Sequence, residues 1–176
     1  MSKYLALSFI GKDQPGIVAA VSKALFDAGC NLEESTMTKL RNEFAMILIV
    51  KLGTSCSINS FKKIVETTAK KNALSVSVRD ISNEPISTKS QKGKKYIITV
   101  YGADKPGIVY AISSYLAKNK FNITDVQTTL SAKAYVMFIE ILLPAPKEKQ
   151  LLNDISKVAK ILGVNISAHQ SEEPEL

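Results

Sequence analysis

Two short stretches carry the residues best suited to holding a small charged molecule. Asp13-Gln14-Pro15-Gly16-Ile17-Val18 recurs as Asp104-Lys105-Pro106-Gly107-Ile108-Val109, an offset of 91 residues. In each, an aspartate and a proline precede a glycine at the start of a helical pattern. Free amides at a helix start carry the positive end of the helix dipole, and a residue without Cβ lets a carboxylate approach the backbone. A small anion or zwitterion suits such a place. Asn31 and Asn122, also 91 apart, open the strands that follow, where the fold expected below sets them beside the helix start. Each amide both donates and accepts, so it could hold an ammonium or a carboxylate. The structural alternatives are a glycine that lets the helix pack closely on a strand, and an asparagine that only terminates a helix.

The repeat extends beyond the turn. Lys3 to Leu52 laid on Lys94 to Leu143 matches at 14 of 50 positions without a gap, among them Gly11 with Gly102, Leu25 with Leu116, Thr38 with Thr129 and Met46 with Met137. Internal repetition of this length implies two small domains of like architecture.

In the first copy, residues 4–10 alternate as a strand and residues 11–14 turn. Pro15 suits the first helical position, Asp13 or Gln14 the cap. Ile17, Val21, Ala24, Leu25 and Ala28 then form one stripe of a helix of about four turns, which Gly29 stops. Residues 31–40 and 44–50 read as an antiparallel hairpin. Its second strand is apolar on both faces, more than helices on one side of a sheet can cover. A helix follows with Ile58, Phe61, Ile64, Val65 and Ala69 inward and Lys62, Lys63, Lys70 and Lys71 mostly outward. Residues 73–80 alternate as the last strand. The second copy repeats the series: a strand at 95–101, a helix at 106–120, strands at 122–131 and 135–143, a helix near 146–162 and a strand at 164–169. In that last helix Leu151, Leu152, Ile155, Val158 and Leu162 are expected to be buried.

The order β-α-β-β-α-β in each copy is the split β-α-β, ferredoxin-like arrangement. The expected fold is therefore α+β: two tandem ferredoxin-like domains, each an antiparallel sheet with helices on one face. The expected boundaries are 1–82 and 94–170, joined by a Pro-, Ser- and Lys-containing linker at 83–93 and followed by an acidic tail at 171–176.

Composition limits the alternatives. The 176 residues carry a formal net charge of +7, but residues 1–88 hold 11 basic and 8 acidic side chains and residues 89–176 hold 12 and 8, so no single basic arm exists. A diffuse excess supports solubility more than a nucleic-acid site. The central strands lack the aromatic signature of an RNA-stacking sheet, and no basic recognition helix of a helix-turn-helix is present, so direct nucleic-acid contact is not expected. The longest apolar run, Phe44 to Val50, is of strand length and excludes a membrane helix. With Met1-Ser2-Lys3 leading straight into a strand, no signal peptide is expected and a cytoplasmic location is. His169, the single histidine, has no carboxylate or cysteine patterned beside it, so no acid-base or nucleophilic set can be assembled. Neither an enzyme, a metal site nor a cofactor is expected. Cys30 and Cys56 belong to no metal-binding spacing and read as buried, reduced thiols.

A strand, Gly-x-Asp-x-Pro-Gly-Ile-Val, a helix, then Asn-Leu or Asn-Ile opening a strand resembles the ACT domain over essentially residues 2–170. A pair of such domains in a chain of this size is similar to the glycine cleavage system repressor group. The resemblance implies a regulatory protein that binds a small amino acid, with glycine a candidate, where two ACT domains meet. Carried over, it points to Asp13, Gln14, Pro15, Gly16, Ile17 and Asn31, and to Asp104, Lys105, Pro106, Gly107, Ile108 and Asn122. It also implies a homodimer, through sheets that pair edge to edge or face to face, and control of transcription through a DNA-binding partner. A module that binds proteins without any amino acid, and a regulatory subunit of an enzyme of amino-acid metabolism, are the alternatives. The copies differ at Gln14 and Lys105, Ala19 and Tyr110, and Lys12 and Ala103, so two equal sites do not follow.

Overall fold

A computed structural model describes residues 3–53, 56–84, 93–131 and 134–171. The chain divides into two compact units, Met1–Ile86 and Ser87–Leu176. Most of the expected linker and the acidic tail lies outside the described residues.

The first unit runs β1 (Lys3–Lys12), α1 (Ile17–Asp27), β2 (Asn31–Leu40), β3 (Glu43–Leu52), α2 (Ile58–Lys71) and β4 (Leu74–Asp80). The second repeats it as β5 (Lys94–Gly102), α3 (Ile108–Lys118), β6 (Asn122–Ser131), β7 (Ala134–Leu143), α4 (Glu148–Leu162) and β8 (Asn165–Gln170). The sheets have strand orders β2-β3-β1-β4 and β6-β7-β5-β8, with every pairing antiparallel. These are two ferredoxin-like α+β domains, as the sequence pattern implies.

One core fills each domain between sheet and helices. In the first, Leu5, Leu7 and Phe9 of β1 and Phe44, Met46, Leu48 and Val50 of β3 meet Ile17, Val21 and Leu25 of α1 and Phe61, Val65 and Ala69 of α2. In the second, Tyr96, Ile98 and Val100 with Met137, Ile139 and Ile141 meet Ile108, Ile112 and Leu116 of α3 and Leu151 and Ile155 of α4. The period of two along the strands sends these side chains to the helix face, and the 3.6 period of the helices returns the complementary stripe.

Several details depart from the sequence expectation. Pro15 is not the first helical residue, and neither Asp13 nor Gln14 caps α1. The helix begins at Ile17 with Gly16 as its cap, and spans 11 residues, three turns rather than four. Leu152 faces solvent on α4, off the stripe that Leu151 and Ile155 bury. Cys30 and Cys56 are half-buried at the edge of the core rather than inside it. The two-faced strand β3 buries one face only: Ile47 is 52% exposed on the other, as is its repeat equivalent Phe138 at 47%. Beside them Ile10 and Tyr101, again equivalent, are 54% and 53% exposed. The edge strand β2 is exposed at all ten of its residues.

Candidate functional site

The strand-helix turn has the same backbone in both copies. Gly16 has φ 92° and ψ −7°, and Gly107 has φ 93° and ψ −5°. Those values belong to the third residue of a type II turn, where a positive φ favours glycine and the preceding position favours proline. Turn chemistry therefore accounts for Pro15-Gly16 and Pro106-Gly107. A Cβ built on Gly16 or Gly107 meets nothing within 4 Å, so close helix-strand packing is not what these glycines serve. The space beside them is open. No side chain caps either helix, which leaves the first amides of α1 and α3 facing that space without a side-chain acceptor.

The flanking residues are held by the domain. Asp13 donates its backbone N–H to the carbonyl oxygen of Asn42 at 2.7 Å, tying the turn to the tip of the β2-β3 hairpin. Its carboxylate pairs with Lys39 of β2 instead of the helix amides. Lys12, Arg41 and Glu43 are exposed at the same end, with Glu43 opposite Lys12. In the second copy Leu130 stands where Lys39 would be, and Asp104 faces Tyr135, whose pKa is raised first by burial and then by the Asp104 charge. Gln14 Nε2 donates to the carbonyl oxygen of Asn72, the last cap of α2, at 2.9 Å. Lys105 Nζ does the same to Leu162 at the end of α4, at 3.2 Å. Both side chains thus fasten the turn to the C-terminus of the second helix. Ile17 and Ile108 are core residues, so only their backbone is available to a ligand.

Asn31 and Asn122 are not beside the turn of their own copy. Asn31 pairs with Lys51, which lies opposite Tyr4, whereas Lys12, next to the turn, pairs with Glu43. Eight residues of strand separate the two ends, about 27 Å. In the second copy Asn122 pairs with Leu142 opposite Lys95, while Gly102 pairs with Tyr135 at the turn end. A first strand leaves from one end of the sheet, and α1 or α3 carries the chain back to the other before the second strand begins. The expected adjacency is therefore corrected: the two halves of the candidate site lie at opposite ends of each domain. Asn31 Nδ2 donates to Glu33 Oε1 at 2.9 Å. Just beyond each asparagine the edge strand is bulged, between Leu32 and Glu34 and between Ile123 and Asp125. A bulge re-aims side chains and is common at binding sites. No residue type in either stretch signals it.

Gly11 and Gly102 stand out only as matches in the repeat, and the structure gives the cause. A Cβ on Gly11 would lie 2.7 Å from the carbonyl oxygen of Ala73, and one on Gly102 2.9 Å from Cγ1 of Val164. The first strand passes that closely under the connection from second helix to last strand, which keeps the turn next to the helix end. Elsewhere His169 is exposed on β8 opposite Ile97, and among the described residues no group of three His, Cys, Asp or Glu side chains could hold a metal ion. Among the described residues no helix is long and apolar enough to cross a membrane.

Both copies match the profile of the ACT domain, over residues 3–79 and 94–169. The chain belongs to the ACT-domain family. Among relatives of these ACT domains is the glycine cleavage system transcriptional repressor of Escherichia coli strain K12, 24% identical over 187 aligned residues that cover 97% of this chain and 95% of the repressor. Among solved structures, a protein of unknown function from Galdieria sulphuraria superposes with a TM-score of 0.83 at 28% identity, covering 98% of this chain and all of that one. A protein provisionally named glycine cleavage system transcriptional repressor superposes with a TM-score of 0.70 at 18% identity, with 98% and 99% coverage, a likeness of fold.

Proposed function

We propose that this ACT-domain protein is a non-catalytic regulator that binds a small amino acid and passes the ligand state to a partner protein controlling transcription. Glycine is the first candidate ligand, by relation to the repressor of Escherichia coli. The observation that carries the reading is the open, uncapped type II turn present in both copies, with a left-handed glycine and free helix amides suited to a carboxylate.

The separation of turn and asparagine within a domain supports a definite form of site. Gly16 with its helix amides can meet Asn31 or Asn122 only when a second ACT domain approaches antiparallel, its strand start beside this turn. We place that second domain in another copy of the chain. Exposed Ile10 and Ile47, and their equivalents Tyr101 and Phe138, supply apolar sheet surface for a homodimer. A ligand shared across such an interface binds one assembly better than another, which is the requirement for transmitting its presence. A protein-interaction module without ligand is the second reading, favoured by the fully exposed edge strand β2.

Isothermal titration with glycine, serine and then the remaining amino acids tests the proposal, with size-exclusion chromatography beside each titration. Saturable binding of one amino acid that shifts the oligomer supports it. Silence across the panel, with the protein folded, sinks the sensor and leaves the interaction module.

A further inference from the structure

Alternate residues of a strand share a face of the sheet, and directly paired residues of neighbouring strands share it too. On the face of the first domain turned away from its helices, β3 reads Glu43-Ala45-Ile47-Ile49-Lys51. An acid stands at one end, a base at the other, and the run between them is apolar. Ile10, Ser8 and Ala6 of β1 lie beside Ala45, Ile47 and Ile49. The charges Glu34 and Arg79 belong to the outer strands of this face, opposite Ile49 and Ala6. Its centre is open to solvent, with Ile10 54% and Ile47 52% exposed.

The pattern along β3 is its own complement. Rotation by 180° about an axis that crosses the strands above Ile47 lays β3 of a second copy antiparallel on β3 of the first, at the spacing of about 10 Å at which sheets pack. Glu43 of each copy then faces Lys51 of the other, Ala45 faces Ile49, and Ile47 meets its own counterpart. Such exchange of partners is what a two-fold interface requires. Burial of the apolar run drives the association, and the opposite charges at its two ends fix the register.

The second domain does not carry this pattern. Its equivalent positions on β7 hold Ala134, Val136, Phe138, Glu140 and Leu142, so the one charge stands inside the run and neither end has one. Glu140 accepts from Thr124 Oγ1 at 2.7 Å and lies 3.9 Å from Lys95 Nζ. The same rotation would set its carboxylate against Val136 of the second copy, and desolvating a charge against an apolar group is costly.

We propose that the homodimer forms through the open sheet face of the first domain rather than that of the second, in an antiparallel register centred on Ile47 and closed at both ends by Glu43 and Lys51. This seam rests on the homodimer of the proposed function and on no ligand. It sets the turn end of one copy over the Asn31 end of the other, the approach that a shared ligand site needs.

The test is sedimentation equilibrium of the full-length protein without amino acid, each variant checked for fold by circular dichroism. Ile47→Glu should give monomers, while Phe138→Glu should remain as dimeric as the wild type. Glu43→Lys and Lys51→Glu each set like charges against one another at both ends of the seam, and should raise the dimer dissociation constant at least about tenfold in low salt. Both substitutions in one chain restore opposite charges without changing the net charge, and should recover most of that loss. Wild-type dimers that survive Ile47→Glu, that dissociate equally with Phe138→Glu, or whose single charge variants are not rescued by the exchange would overturn this seam and leave the homodimer standing. A wild type that is monomeric at every concentration would overturn the homodimer itself, and the seam with it.

Discussion

Lys105 donates from Nζ to the carbonyl oxygen of Leu162 at 3.2 Å, placing a positive charge on the C-terminal end of α4. Gln14 makes the same connection to Asn72 at the end of α2 without a charge. The interaction of a cation with a helix C-terminus contributes roughly 0.3–1 kcal/mol at low ionic strength and is screened by salt. Lys105→Met keeps the side-chain stem and removes the donor. It should lower the stability of the second domain by about 0.5–1 kcal/mol in low-salt urea denaturation and by less in 0.5 M salt. Gln14→Met should lower the first domain by an amount that salt leaves unchanged. Equal salt responses would deny Lys105 its electrostatic part.

Glycines of the two copies divide by cause, and alanine substitution separates the causes. At Gly16 and Gly107 alanine meets no atom but must adopt a left-handed backbone, at a cost of about 1–2 kcal/mol. Chemical denaturation of Gly16→Ala and Gly107→Ala should show losses of that size with no change in the slope against denaturant.

Gly11→Ala acts through space instead. Its Cβ would fall 2.7 Å from the carbonyl oxygen of Ala73 and 2.8 Å from Cδ2 of Leu74, and the oxygen is main chain, so β1 and the α2-β4 connection must part. Overpacking of this kind costs about 1–3 kcal/mol. The loss should come with a loosened turn, read as faster amide exchange at Asp13, whose N–H bonds to Asn42. Unchanged exchange at Asp13 would mean that the close approach does not position the turn.

The tyrosines set an alkaline limit on the second domain. Tyr96 is 2% exposed, and burial raises its pKa to about 12. The Glu148 carboxylate adds to that shift, although the hydroxyl lacks a partner at hydrogen-bond geometry. Tyr115 is raised to about 12 by burial and by Asp154. Below the ordinary value of 10 both tyrosines keep their protons folded or unfolded, and their contribution is complete. Between pH 10 and 12 only the unfolded chain ionises, so stability falls as pH rises through that window. Thermal unfolding should show the second domain losing stability there, with tyrosinate absorbance rising at the transition. Tyr96→Phe removes a buried hydroxyl without a partner, so at pH 7 it should change stability by less than about 1 kcal/mol and reduce the alkaline loss. A steep loss at pH 7 would show that the hydroxyl is satisfied.

The architecture was legible because period and punctuation agreed. Alternation at Leu5, Leu7 and Phe9, helical spacing at Ile17, Val21 and Leu25, and the 91-residue repeat each pointed to the same fold, and the cores formed from those residues. What went astray was local or topological. Pro15-Gly16 fits both a helix start and a type II turn, and the residue types do not decide between them. The positive φ of Gly16 does. Asn31 was expected beside Gly16 because the expected fold was taken to set the start of the second strand beside the helix start. Eleven residues of helix, about 16 Å, with the turn before and the connection after carry the chain back along the sheet, and register along β1 and β3, invisible in composition, fixes where it arrives. Leu152 shows the remaining limit, since one position off the stripe of an amphipathic helix turns an apolar side chain to water.

That register leads to the sharpest prediction about the ligand site. If turn and asparagine belong to different copies, lesions in the two halves placed on different chains should complement. One variant carries Gly16→Val and Gly107→Val, which removes both turns. The other carries Asn31→Ala and Asn122→Ala. Each alone, checked for fold by circular dichroism, should bind no glycine in isothermal titration. In dimers refolded from an equal mixture, half are mixed, and each mixed dimer joins intact turns of one chain to intact asparagines of the other in half of its sites. About a quarter of the wild-type stoichiometry should therefore return, as expected of an interface in which each copy supplies both halves. Mixed dimers that form but stay silent would rule out a site shared between copies.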